Sequence, residues 1–188
     1  MFESFLIAFG LVFVAELGDK SQLMSLAFAT RFKPWLVLTG VAIAAAVMQL
    51  VSVTIGGVVG ASLPTDVVNI ISAAAFVAFG IWTLRNDDDS DEDIQISVSN
   101  RHALLTITSM FFISEIGDKT MLATVTLATK QGIFGTWLGA TLGMTLANAL
   151  AVVVGRAMGT RLPQKTIRIG AAVLFFIFAI VLVVDAIR

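Results

Sequence analysis

The sequence predicts an all-α integral membrane protein with six transmembrane helices, arranged as two inverted three-helix repeats. Three observations lead to this prediction. The chain of 188 residues is 57% hydrophobic and 13% charged, with a mean hydropathy of +0.94, which is typical of membrane proteins. Apolar segments long enough to cross about 30 Å of hydrocarbon recur along the chain. A short charged motif also occurs twice inside these segments.

Six apolar segments are separated by short polar connections. Proline or glycine stands at most of the breaks, as in Arg31-Phe32-Lys33-Pro34 and Lys130-Gln131-Gly132. The predicted spans cover residues 4–28, 35–61, 67–85, 103–128, 134–158 and 167–187. We therefore divide the chain into a first three-helix repeat, residues 1–85, an acidic linker, residues 86–101, and a second three-helix repeat, residues 102–188.

The two halves are related by an offset of 99 residues, which holds without a gap from Glu16/Glu115 to Pro64/Pro163. The matched positions include Gly40 with Gly139, Gln49 with Asn148, and Gly56 with Gly155. Because three spans are an odd number, the second half must enter the membrane from the opposite side. A pseudo-twofold axis in the membrane plane would then bring the two copies of the motif together near the midplane.

The repeated motif carries charges in the middle of apolar spans. It reads Glu16-Leu17-Gly18-Asp19-Lys20-Ser21 and Glu115-Ile116-Gly117-Asp118-Lys119-Thr120. A charged side chain at the centre of a membrane helix costs about 3 kcal/mol on insertion scales, so six unpaired charges would cost roughly 18 kcal/mol. The motifs are therefore predicted to form a functional site. Their charges sum to minus two, which one divalent cation would neutralise.

The spacing inside each motif leads to two local expectations. Glu16 and Asp19 are three residues apart, so in a continuous helix they would share one face. Each glutamate precedes a lysine by four residues, the favourable order for an ion pair within one helix. The central glycine of each motif would also permit a break in the helix or a close helix contact.

The doubled Glu-apolar-Gly-Asp-Lys-Ser/Thr pattern resembles the family of small six-span cation exchangers that contains bacterial manganese exporters and Golgi manganese/calcium transporters. Both motifs match at every position, and the resemblance extends over nearly the whole chain. It implies that Glu16, Asp19, Glu115 and Asp118 bind the transported ion. It also implies export of a divalent cation, with Mn²⁺ favoured, in exchange for protons; a Ca²⁺/H⁺ exchanger is the alternative.

Other polar side chains are candidates to complete the site. Gln49 and Asn148 are amides inside the second and fifth spans at equivalent repeat positions, so each could be an oxygen ligand or a hydrogen-bonding link between helices. Ser21 and Thr120 could add hydroxyl oxygens, and Lys20 and Lys119 could be counter-ions to the acids. An oxygen-rich set of this kind suits Mn²⁺, Ca²⁺ or Mg²⁺ as a transported substrate, and no resident cofactor is predicted.

Composition and missing motifs exclude several other classes. The chain has no cysteine and a net charge of −1, so it offers neither a thiolate site nor a basic surface for nucleic acid. It lacks a P-loop, so ATP is not the direct energy source. An intramembrane aspartyl protease would need Gly-x-Gly-Asp, in which Glu16 and Glu115 replace the first glycine. We predict a transporter, not an enzyme; an exporter of a basic amino acid is the remaining alternative.

Lysine and arginine are distributed unequally between the two ends of the predicted spans. One side carries eight of these residues and the other two, Lys130 and Arg188. Since the cytoplasmic side carries the excess, both termini are expected outside and the linker inside, in a bacterial inner membrane. The acidic run from Asp87 to Asp93 does not match a calcium-binding loop and is expected to be a solvated linker.

Overall fold

A computed structural model of the protein describes residues 1–85, 102–158 and 164–187. Within these ranges the chain forms eight α-helices and no strand. The helices are α1 (Phe2–Glu16), α2 (Lys20–Arg31), α3 (Pro34–Ser62), α4 (Thr65–Arg85), α5 (Ala103–Glu115), α6 (Lys119–Ala128), α7 (Ile133–Met158) and α8 (Gln164–Ile187). The all-helical prediction is confirmed.

The first and fourth predicted spans are each broken at the motif. Leu17–Asp19 separates α1 from α2, and Ile116–Asp118 separates α5 from α6. Gly18 and Gly117 have φ angles of 73° and 76°, in the left-handed region that only glycine enters readily. The two glycines therefore adopt the left-handed backbone that breaks each helix.

The break corrects both local expectations about the motif. Glu16 and Asp19 do not share a helix face, because Glu16 ends one helix and Asp19 caps the start of the next in extended backbone. The same break removes the four-residue helical spacing between Glu115 and Lys119. Any proximity among the motif side chains therefore comes from the turn at the break and from the tertiary fold, not from a continuous helix face.

The other helix boundaries lie close to the predicted ones where the chain is described. Two helical segments, Pro34–Val59 and Ile133–Val153, are long and apolar enough to cross a membrane. Shorter apolar segments occur at Asp66–Ala78 and Ala103–Glu115. The predicted linker and the predicted break at Pro163 lie outside the described residues. The arrangement of six spans in two inverted repeats remains a prediction.

Contacts between helices recur in matched pairs across the two halves. α1 packs along α7, as α5 packs along α3, and α2 contacts α7 as α6 contacts α3. The self-matched pairs α3 with α7 and α4 with α8 also have extensive contacts. Phe76 and Phe175, which are 99 positions apart, stack between α4 and α8 with ring centroids 6.0 Å apart. Equivalent elements of the halves thus pack in equivalent ways.

Small residues bring α7 against the backbone of α1. A Cβ atom on any of three glycines of α7 would collide with main-chain atoms of α1; they are Gly135, Gly139 and Gly143. On α3, Gly56 approaches the main chain of Val125 in the same manner, and Gly40 approaches the Ile107 side chain. This close packing holds the motif breaks against the long helices α3 and α7.

Candidate functional site

The two motif breaks meet inside the bundle and bring together acids from both halves. Glu16 and Asp19 from the first motif and Glu115 from the second each offer a carboxylate oxygen, and these three oxygens lie within 4.8 Å of one another. The residues are 0%, 7% and 2% exposed, respectively. Three buried carboxylates at this distance repel one another strongly unless a cation or bound protons compensate their charge.

Lys119 supplies one positive charge to the cluster. Its Nζ donates a hydrogen bond to Oδ1 of Asp19 over 2.6 Å, and both side chains are largely buried. This ion pair joins the second motif to the first, whereas the sequence predicted a pair between Glu115 and Lys119. Lys119 instead pairs with Asp19, because the helix break turns its side chain towards the opposite motif.

The hydroxyl groups of the two motifs are placed differently. Ser21 Oγ donates to Glu16 Oε2 over a short 2.6 Å, whereas Thr120 Oγ1 lies 3.5 Å from Asp118 Oδ2. Asp118 caps the start of α6 and is half-buried. It is not among the three clustered acids. The first motif therefore has the tighter hydrogen bonding.

Two carboxylate oxygens of the first motif remain available for a ligand. Oε1 of Glu16 and Oδ2 of Asp19 are buried and accept no hydrogen bond from the described residues. A buried acceptor without a donor costs about 1 to 3 kcal/mol, and more when it is charged. A cation bound between the two residues would satisfy both oxygens.

The two predicted amides differ although they occupy equivalent repeat positions. Asn148 Oδ1 accepts a hydrogen bond from Ser25 Oγ at 2.5 Å, and its Nδ2 donates to the Met144 carbonyl at 3.0 Å. Gln49 is 0% exposed, and neither its Oε1 nor its Nε2 has a hydrogen-bond partner within the described chain. Asn148 thus links α2 to α7, while Gln49 forms no such link within the described chain.

Gln22 was missed by the sequence reasoning. Its Oε1 accepts a hydrogen bond from the Gly18 amide at 2.8 Å, and its Nε2 donates to the Ala147 carbonyl at 2.8 Å. The residue is 3% exposed and lies three positions after Asp19. Repeat matching hid it, since the equivalent position is Met121. A search for polar residues one helical turn after each motif aspartate would have found it.

The side chain of Lys20, the other predicted counter-ion, lies outside the described part of the structure. The predicted site residues that are described therefore divide into three groups. The first group is the cluster of Glu16, Asp19 and Glu115, with Lys119 and Ser21 bonded to it. The second group, Gln49 and Asn148, is buried on the long helices. The third group, Asp118 and Thr120, lies at the second break.

The chemistry of the cluster favours a hard cation. Carboxylate and amide oxygens are the ligands that Mg²⁺, Mn²⁺ and Ca²⁺ prefer. The three clustered oxygens lie within 4.8 Å of one another, close enough for one such ion to contact them together.

Comparison with known proteins places this chain in a family. The sequence profile described as "Divalent cation/proton antiporter GDT1" matches residues 4–91 and 103–188. No solved structure matches the chain. The two matched segments contain both motifs and every predicted site residue.

Related proteins match over most of this chain. A GDT1-like protein from Synechocystis sp. is 30% identical over 200 residues, covering 96% of this chain and 97% of the relative. A Vibrio cholerae protein named "Putative manganese exporter" is 33% identical over 172 residues, covering 90% and 84%. The chloroplastic protein PAM71 of Arabidopsis thaliana is 28% identical, covering 96% of this chain and 56% of the relative. The chain belongs to the GDT1 family of divalent cation/proton antiporters, which are membrane-embedded transporters and not enzymes.

Proposed function

We propose that this protein exports Mn²⁺ across a bacterial inner membrane in exchange for protons, using the paired motifs as one ion-binding site. The observation that carries the proposal is the buried cluster of Glu16, Asp19 and Glu115, whose oxygens come from both halves of the chain. A site built from both halves can change its exposure when the halves move against each other. That property is what alternating access requires.

Within this proposal the three clustered acids are the principal ligands. Gln49 adds an amide oxygen, because its buried amide has no hydrogen-bond partner in the described chain. Asp118 joins when the second motif closes, and Ser21 and Thr120 orient the acids beside them. Asn148 supports the wall of the site through Ser25, and Lys20 and Lys119 are counter-ions.

Proton coupling follows from the use of the same carboxylates for both substrates. A metal ion binds to deprotonated carboxylates, so metal binding releases protons and protons displace the metal. Exchange then needs no separate proton pathway. The ion pair between Lys119 and Asp19 keeps part of the charge compensated when neither substrate is bound.

The choice of Mn²⁺ among hard divalent cations rests on the names of the related proteins. The name of the Vibrio cholerae protein points to manganese, and its chain is covered over most of its length. The carboxylate oxygens of the cluster are also suitable ligands for Ca²⁺. We therefore treat Ca²⁺/H⁺ exchange as the second candidate, and the transport experiment distinguishes the two.

We further propose that the chain crosses the membrane six times as two inverted repeats, with both termini outside and the acidic linker in the cytoplasm. The matched helix contacts and the stacking of Phe76 on Phe175 support the repeat. The lysine and arginine distribution supports the orientation. The two halves, residues 1–85 and 102–188, are then the moving bodies, and the linker, residues 86–101, connects them.

Ion uptake by inverted membrane vesicles tests this function. Vesicles from cells that produce the protein should take up Mn²⁺ when their lumen is acidic, and a protonophore should stop the uptake. Ca²⁺ uptake is measured in parallel. Equal or greater gradient-driven Ca²⁺ uptake would favour the second candidate, and no movement of either ion would contradict the proposed function.

A matched pair of variants tests the site in the same vesicles. Glu16→Gln removes one buried carboxylate charge and should abolish uptake, while its amount in the membrane stays normal. Glu3→Gln changes an exposed acid of the same helix α1 and should transport normally. Normal transport by Glu16→Gln would refute the site assignment.

A further inference from the structure

The two motif breaks have nearly the same backbone. Leu17 and Ile116 have φ, ψ angles of −63°, 126° and −62°, 121°. Asp19 and Asp118 each donate a main-chain hydrogen bond to the glutamate carbonyl three residues earlier, over 3.2 Å in both cases. Any difference between the breaks must therefore arise from the side chains that hold them.

Those side chains differ in what they can bind. The Gly18 amide donates to Gln22 Oε1 over 2.8 Å, and the equivalent Gly117 amide contacts the Met121 sulfur at 3.3 Å. A thioether is a weak acceptor and has no proton to donate. Gln22 has a second group, Nε2, which also donates to the Ala147 carbonyl of α7. Only Gln22 can thus connect its break to a long helix.

The carbonyl groups that could accept such a bond on the two long helices also differ. The equivalent of Ala147 is Met48 on α3, and the Met48 carbonyl already accepts a hydrogen bond from Ser52 Oγ at 2.9 Å. The equivalent of Ser52 is Ala151, which has no hydroxyl to compete for the Ala147 carbonyl. The first break therefore has both a donor, Gln22, and an open acceptor on its long helix, while the second break has neither.

The exposure of the two breaks agrees with this difference. Ile116 is 58% exposed and Gly117 is exposed, whereas Leu17 and Gly18 are half-buried and Asp19 is 7% exposed. A Cβ atom at Gly117 would meet nothing within 4 Å. The first break is thus closed against α7, and the second stands open at the surface of the chain.

We infer that Gln22 is a positioning residue that holds the first motif against α7 and thereby biases the protein towards the conformation in which the second break, at Ile116 and Gly117, is exposed. The inference rests on the proposed function, because it assigns the resting state of the proposed alternating-access cycle. In the opposite state the second motif closes, and Met121 gives it no comparable bond. The two states of the cycle therefore differ in stability, although the two motifs follow the same sequence pattern.

Hydrogen exchange of the purified full-length protein tests the inference independently of transport. Deuterium uptake is followed in peptides that cover residues 17–22 and 116–121, without added cation. The first break should exchange more slowly than the second. Gln22→Met should speed exchange at the first break about tenfold, the factor expected for one hydrogen bond of ordinary net strength, and should slow exchange at the second break.

The slowing at the second break is the decisive result, because a bond with only local importance would not produce it. Faster exchange at the first break with no change at the second would overturn the inference. No change at either break would overturn it as well. If the breaks respond as expected and vesicles still move no cation, the inference holds and the proposed function fails.

Two further variants cover the case in which Gln22→Met does not fold. Ala151→Ser adds a hydroxyl that competes for the Ala147 carbonyl, as Ser52 does at Met48, and should shift exchange in the same direction as Gln22→Met. Met121→Gln combined with Ser52→Ala transfers the bond to the second break and should slow exchange at residues 116–121 about tenfold. Unchanged exchange in both variants would also overturn the inference.

Discussion

Lys119 of the second motif forms an ion pair with Asp19 of the first motif, with Nζ and Oδ1 2.6 Å apart. The two residues are 100 positions apart in the chain. The pair therefore connects the halves at the place where their acids cluster. A cation that entered between Asp19 and Glu16 would compete with this ammonium group, so the ion pair and ion binding are coupled.

Lys119→Met should make the empty protein less stable and more dependent on cation. Removal of one partner from a buried ion pair costs about 3 to 5 kcal/mol, since the other charge stays buried and uncompensated. We expect a lower thermal unfolding midpoint without cation and a larger rise in that midpoint on addition of Mn²⁺ than in the unchanged protein. Thermal unfolding in detergent measures both.

The double variant Lys119→Met with Asp19→Asn is the control for that experiment. It removes both charges, so it should recover part of the lost stability in the absence of cation. An Mn²⁺-induced shift in Lys119→Met no larger than in the unchanged protein would argue against competition between the ammonium group and the ion.

The two amides should respond differently to the same substitution. Gln49→Leu removes an amide that has no hydrogen-bond partner in the described chain, so we expect stability to be unchanged or increased and Mn²⁺ affinity to fall about tenfold. Asn148→Leu removes the bonds to Ser25 and Met144, so it should cost about 1 to 3 kcal/mol of stability.

Thermal unfolding and a metal-binding titration on both variants check this contrast. A loss of stability in Gln49→Leu without a loss of affinity would show that its amide is a structural group. A similar loss of affinity in the two variants at unchanged stability would instead make both amides ligands, as the sequence repeat alone suggests.

Gly117→Ala should destabilise the second break through the backbone alone. The φ angle of 76° costs an L-residue about 1 to 2 kcal/mol, while a Cβ atom there meets nothing within 4 Å. Gly10→Ala is the matched control, because Gly10 also has open space but lies inside helix α1. There alanine should be neutral or stabilising, and equal thermal midpoints for the two variants would contradict the explanation.

Binding of Mn²⁺ should release protons and should weaken as pH falls. At lower pH a larger fraction of the site carboxylates carries a proton, and each proton competes directly with the metal. Titration calorimetry in buffers with different ionisation enthalpies measures the number of protons released. The Glu16→Gln variant should release fewer protons than the unchanged protein, and equal release would remove Glu16 from the exchange.

Much of the architecture could be predicted because the apolar segments, the motif and the repeat can be recognised directly in the sequence. Apolar run lengths and the prolines at 34 and 64 place most of the observed helix ends, and the motif glycines predicted that a break was possible. Whether the helix breaks there was not predictable from spacing alone, since a central glycine is compatible with a continuous helix as well as with a left-handed turn. The helix-face argument for Glu16 and Asp19 failed for this reason.

The sequence by itself determined the helical class, the membrane-like composition and the acids of the site, because charges in apolar segments are costly wherever they fall. Only the tertiary structure decided which groups meet. It paired Lys119 with Asp19 of the other motif, joined Asn148 to Ser25 and Gln22 to Ala147, and left the Gln49 amide without a hydrogen-bond partner among the described residues. The physical reason is that a hydrogen bond depends on distances of a few tenths of an ångström between segments more than a hundred residues apart, as for Gln22 and Ala147. Sequence symmetry does not specify distances on that scale.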